Sequence, residues 1–204
     1  MSLSTALSDP TPILRPNHWR DLALRFRNHH WERDDDGRIL IGGFRLGGVF
    51  TCHTDSDGLG TVSAPNLITT EGANYLFSAG VANGTQLPTF YVAPFSGNVA
   101  VADTLTAANF ASTQTELTTQ YSESTRVAFV ESAPATKFIS NYASPAVITA
   151  ASDGVTIWGF GLLSASTKGS TSGVCLAAVK YSAVRTLVTT GDTIGIKYKL
   201  ILSN

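Results

Sequence analysis

Charge is what this chain of 204 residues has least of. Asp, Glu, Lys and Arg make up 14% of it, against about 25% in ordinary soluble domains. The balance is −1, so no global field draws the chain to nucleic acid or to an anionic membrane. Cysteine is scarce as well. Cys52 and Cys175 lie far apart, which fits two free thiols made in a reducing cytosol, a single bridge being the alternative. No Cys-x-x-Cys occurs, which removes the usual thiolate framework of a structural zinc site. No run approaches 18 apolar residues, so no membrane-spanning helix is expected. The first residues, "MSLSTALSDPTPILRP", lack a basic n-region and a continuous apolar stretch, so no secretory signal is expected either. No period of 20–50 residues repeats, so a solenoid is not supported.

The few charges are unevenly placed. Residues 1–57 hold seven arginines and eight carboxylates, whereas the remaining 147 positions share fourteen charges. About a quarter of that second part is Ser or Thr, which gives a polar surface with little charge. Residues 1–37 therefore read as an extended arm and 38–204 as the folded domain. Spaced prolines open the arm and disfavour a helix there. From Trp19 the apolar positions Leu22, Leu24 and Phe26 fit a short helix or a strand equally. Arg15, Trp19, Arg20, Arg25, Phe26, Arg27 and Trp31 mix planar cations with aromatics, the composition enriched in protein interfaces. Asp21, Glu32 and Asp34 to Asp36 roughly cancel the arginines, which argues against a phosphate-binding stripe.

The rest reads as strands. The closing segment "VRTLVTTGDTIGIKYKLILSN" puts Ile194, Ile196, Tyr198, Leu200 and Leu202 on one parity and Thr193, Gly195, Lys197 and Lys199 on the other. Successive strand residues face opposite sides, so this is a half-buried strand introduced by a turn at Thr190-Gly191-Asp192. Other strands are expected in "RILIGGFRLGGVFTCHT", "GTVSAPNLIT", "TFYVAPF", "RVAFVE", "KFISNY", "GVTIWGFGLLS" and "GVCLAAVKY", with "DSDG" (55–58) as a hairpin turn. One short helix is expected over "TTEGANYLFSAGV": Thr69 or Thr70 caps it, Glu71 suits its positive end, and Gly80 ends it. The fold class is all-β, an antiparallel β-sandwich of jelly-roll type with one short helix and an N-terminal extended arm. "TIWGFGLL" and "VCLAAVKY" are apolar or small on both parities. Either they are central strands covered on both faces, or another subunit covers the outer face. The sparse charge favours a subunit.

Catalytic chemistry is hard to assemble. His29-His30 with Asp34 to Asp36, and Cys52-His53, contain ligand types without the four-ligand spacing of a metal centre. "DSDG" begins like a calcium loop, but the later acids are missing. "GSTSG" (169–173) has Thr171 where a hydrolase elbow needs serine, and reads as a flexible hairpin loop. No catalytic residue, cofactor or metal site is expected, and the expectation is a protein that is not an enzyme. Trp19, Trp31 and Trp158 could stack sugars, which keeps a carbohydrate-binding sandwich as a distant alternative.

From about Asn66 onward the chain resembles a family of tailed-bacteriophage virion proteins. The likeness rests on "NLITTEGANYLFSAG", "LPTFYVAPFSG", "TLTAANFASTQTELTTQYSESTRVAF", "TIWGFGLLSASTKGSTSGVCLAAVKY" and "LVTTGDTIGIKY", in that order, and covers about two-thirds of the chain. It implies a virion structural protein of the capsid decoration or cement type, bridging major capsid protein subunits, with a tail, collar or fibre component as the alternative. The implied partners are the major capsid protein and further copies of itself, as dimer or trimer, without direct contact to nucleic acid or membrane. The implied location is the capsid surface, after synthesis in the host cytoplasm. The residues before Asn66 carry no such likeness.

Overall fold

The computed structural model describes residues 32–33, 39–41, 44–134 and 137–203, which belong to one compact unit, Glu32–Asn204. The arm residues singled out above, Arg15, Trp19, Arg20, Arg25, Phe26, Arg27 and Trp31, lie outside the described residues.

The alternating segments form the longest strands. In β3 (Phe44–Thr54) and β12 (Thr193–Ser203) the even positions Phe50, Cys52, Ile194, Ile196 and Tyr198 are buried. The two strands pair antiparallel from Gly195↔His53 to Ser203↔Arg45, making the spine of a seven-stranded sheet. Short strands flank the spine. β2 (Ile39–Ile41), with β1 (Glu32–Arg33) beyond it, and β4 (Gly60–Pro65) pair along β3; β8 (Phe138–Ser140) and β9 (Ala146–Thr149) pair along β12. Glu32 and Arg33 thus pair into the sheet.

The second sheet has the order β5-β11-β10-β6-β7, all antiparallel, with β5 (Leu67–Ile68), β6 (Phe90–Phe95), β7 (Val127–Phe129), β10 (Val155–Leu163) and β11 (Cys175–Leu187). It packs face to face on the first. Phe129 meets Tyr198 edge-on at 5.8 Å, and Phe50 lies 4.4 Å from Tyr198 in the same layer. The all-β antiparallel sandwich is the architecture that the alternation and turn residues lead one to expect.

Two helices, not one, occur among the described residues. α1 (Thr70–Val81) starts where the cap signal lies, the Gly72 amide donating to Thr69 Oγ1 at 2.9 Å. It runs past Gly80 and stops at Ala82, whose amide reaches the carbonyls of Phe77 and Ser78. Gly72 allows α1 to lie against β11, since a Cβ there would sit 2.1 Å from the Leu176 carbonyl oxygen. α2 (Ala107–Thr113), for which the sequence shows no clear period, is a seven-residue helix of about two turns with a Thr106/Asn109 capping box. Glu71 joins the two helices and β11: its Oε2 accepts from the amides of Ala107 (2.8 Å) and Cys175 (2.7 Å).

α2 and the segment leading to it cover the outer face of the second sheet. Phe95, Leu105, Ala107, Phe110, Leu163 and Cys175 form a buried cluster there. Gly161 makes the close approach possible, because a Cβ at that position would lie 2.4 Å from the Phe110 ring. The expectation that another subunit covers the apolar outer parity of β10 and β11 is therefore corrected. The chain covers that face itself, as in other central strands buried on both sides.

Candidate functional site

Two buried arginines organise the loops at the ends of the sandwich. Arg126 and Glu116 are 0% and 1% exposed in their side chains. The guanidinium holds both carboxylate oxygens at 2.7 Å and also donates to the carbonyls of Ala165 and Ser170. A bidentate pair with its remaining donors satisfied is the arrangement in which a buried charge is tolerated. Lys168 adds a hydrogen bond to the Tyr121 carbonyl at 2.9 Å, its ammonium lying over the Tyr121 ring. The loop at 166–173, whose 169–173 portion is expected to be flexible, is clamped to the body.

Arg185 plays the same part under the "DSDG" turn. It bonds Asp57 through Nε (2.6 Å) and Nη2 (3.0 Å), and Nη2 also donates to the Gly60 carbonyl at 2.7 Å. Asp57, the candidate calcium-loop acid, is thus committed to an arginine and to the amides of Leu59 and Thr186. Burial alone would raise its carboxyl; the Arg185 bond and the two amides outweigh this and hold it below the usual carboxylate range. Asp192 is held low by the Ser56 hydroxyl and the Thr189 amide, and Asp153 by the amide and hydroxyl of Thr190. A carboxyl depressed in the folded state contributes stability above its unfolded value of about 3.9 and loses it as pH falls through the folded value. The urea midpoint is therefore expected to stay level from about pH 7 to 5 and to drop below about pH 4. Asp57→Asn should lower it at neutral pH and make the acid limb shallower.

Strand alternation separates Cys52 from His53: the thiol points inward and the imidazole outward, so they cannot share a ligand set. Cys175 lies in the cluster under α2 while Cys52 lies beside Arg185 between the sheets, and both are free. Burial pushes both thiols up, so neither is a thiolate nucleophile near neutrality. Among the described residues, no three His, Cys, Asp or Glu side chains gather as metal ligands, and no helix is long and apolar enough to cross a membrane. Trp158 is half-buried against the Phe95–Phe110 cluster, under the Lys180 ammonium at 4.7 Å. That leaves it poorly placed to stack a sugar.

Two surfaces remain. The first is the outer face of the seven-stranded sheet, built from Val49, Thr51 and His53 of β3, Thr61 and Ser63 of β4, Val147 of β9, and the odd positions of β12. Hydroxyls pair with neighbours there, Thr51 with Ser63 and His53 Nδ1 with Thr61 Oγ1, each at 2.8 Å. Lys199 lies over the Phe138 ring at 4.1 Å. Thr61, His53, Gly195 and Val147 form one cross-strand row, and Gly195 leaves a notch in it, no atom lying closer than 4.0 Å to a would-be Cβ. Among the described side chains its ionisable groups are Lys197, Lys199 and His53, and Asp55, one residue past β3, sets a carboxylate 3.4 Å from His53 Nε2 at its edge. The second surface is a cleft of about 200 Å³ where α1, the 82–89 loop and the ends of β7, β8 and β12 converge. Comparison with protein-family models, with curated proteins and with solved structures returned no match.

The sequence points to the arm for an interface; both surfaces and both buried arginines emerge from the tertiary fold. One signal was present for Arg185: it shares its parity with Tyr181 and Leu187, an arginine on an apolar strand face.

Proposed function

We propose that this protein is a structural component of a tailed-bacteriophage virion that decorates and cements the capsid by bridging major capsid protein subunits. It acts by contact, not catalysis. The observation that carries the reading is the outer face of the seven-stranded sheet: broad, rich in hydroxyls, with Asp55 beside His53 as the carboxylate at its edge, and covered by no element among the described residues. Charged residues are depleted at the cores of protein interfaces. Clamped loops suit the role, since a cement element must hold its shape under load from within the shell. The resemblance of residues 66–204 to phage virion proteins points the same way. In this reading the sandwich is of jelly-roll type, and the protein works as a dimer or trimer on the capsid surface. The Arg- and Trp-bearing segment at 15–31 reaches the major capsid protein or a neighbouring copy.

The test is association of the full chain with expanded capsid shells lacking it. Val147→Glu with Thr193→Glu places two carboxylates on the face at exposed positions, where folding should change by less than about 0.5 kcal/mol. Association should weaken about tenfold or more, as like-charged or desolvated carboxylates do at an interface core. A chain beginning at Glu32 should also bind much more weakly. Unchanged binding by the double variant would remove the face from the account.

A further inference from the structure

The cleft has a chemistry that neither the fold nor the sheet face requires. Its walls are apolar, from Leu76 of α1, Phe90 and Leu162 of one sheet, and Ile139 and Leu200 of the other. Phe129 closes the back, its ring edge-on to Tyr198. The loop forming one lip is fastened: the Leu87 amide donates to Tyr75 Oη at 2.9 Å, and the Tyr75 ring stands edge-on to Phe90 at 5.5 Å. The cleft is thus shaped before anything enters it. Among the described lining residues Glu131, exposed at the mouth, is the one that carries a charge, and none is Lys, Arg or His. Just outside stands Val130, 53% exposed.

Volume and charge together define the occupant. Apolar cavities of roughly 150 Å³ take a benzene ring, so about 200 Å³ accommodates one aromatic or branched aliphatic side chain and not an extended lipid chain. A single carboxylate at the rim complements a cation next to that side chain. A fully desolvated anchor is how hot spots in protein interfaces are built, and a rim charge beside it selects among partners.

We propose that this cleft is a side-chain socket for a partner polypeptide, taking one Trp, Phe or Leu side chain whose neighbouring Arg or Lys pairs with Glu131. This rests on the reading of the protein as one that works by contact, and it gives that contact a second, chemically specific anchor away from the sheet face. The socket supplies specificity; the sheet face supplies area.

The test uses the full chain and short probes, followed by the ring and methyl resonances of Phe90, Phe129, Ile139 and Leu200. N-acetyl-Trp-Arg-amide should give saturable shifts at these residues. N-acetyl-Gly-Arg-amide should give none, and N-acetyl-Trp-Glu-amide should bind about threefold to tenfold more weakly. Glu131→Gln, at an exposed position, should bring the Arg and Glu probes within about twofold of each other. Leu162→Trp fills the cleft from its floor and should abolish the shifts; if that variant does not fold, the Glu131→Gln comparison stands by itself. Absent saturation, equal binding of the Gly-Arg probe, or a preference for arginine surviving in Glu131→Gln would each overturn the proposal. Free indole binding as tightly as Trp-Arg would overturn it as well, by making the cleft a small-molecule pocket. Capsid association is measured separately. Probe binding without it would keep the socket and remove the virion role, and the reverse would remove only the socket.

Discussion

Arg126→Met is expected to destabilise the protein by about 3–5 kcal/mol, a large share of the 5–15 kcal/mol that holds a typical domain together. The methionine keeps much of the aliphatic volume but leaves Glu116, 1% exposed, without its counter-charge. It also strips donors from the carbonyls of Ala165 and Ser170. An unpaired buried carboxylate costs far more than the pair itself contributes, which is why the same change at a surface pair would cost under about 1 kcal/mol. Urea unfolding reads the loss, and hydrogen exchange should quicken through the 166–173 loop. The double variant Arg126→Met with Glu116→Leu should recover most of the stability, because it leaves no charge behind. A single variant within 1 kcal/mol of the parent would show that water reaches the pair and that the loop is held by something else.

Phe110→Ala is the second large effect, about 3–5 kcal/mol. The ring is fully buried, stands edge-on to Phe95 at 5.9 Å, and is the piece of the covering layer that sits over Gly161. The same geometry predicts a coupling of opposite sign. Gly161→Ala in the parent pushes a methyl into the Phe110 ring and should cost about 1–3 kcal/mol. In the Phe110→Ala background the methyl enters the vacated space, and most of that cost should vanish. Additive losses would mean that the ring and the glycine do not share that space. If another subunit covered the outer face of the second sheet, Phe110→Ala would instead disturb assembly and spare the stability of the single chain.

These two residues also show how far the sequence could be read. Alternation in 193–203 and the capping threonines, Thr69 or Thr70, located β12 and the start of α1, because strand parity and capping are local and need no knowledge of partners; the structure selects Thr69. The apolar character of β10 and β11 on both parities was visible too. Its cause was not, since it depended on a distant segment, 99–113, folding back over the sheet through a short helix whose alanines and threonines carry no clear period. Glu116 and Arg126 sit ten residues apart in segments without regular pattern, so only the tertiary fold brings them together. The sheet face escaped notice because threonines and serines read as polar surface until the pairing register aligns them in rows. The cleft escaped because its walls come from both sheets and from α1.

The account stands on the sheet face being a surface that meets another polypeptide. On the proposed virion role, electron microscopy of intact phage particles tests that claim most directly. The expected image has hundreds of copies on the head, each with the hydroxyl-bearing face of Thr51, Thr61, Val147 and Thr193 pressed against a neighbouring subunit. Particles without the protein, or copies showing that face to solvent while gripping the shell elsewhere, would contradict it; a dozen or so copies at the tail would keep the virion and refute the cement role.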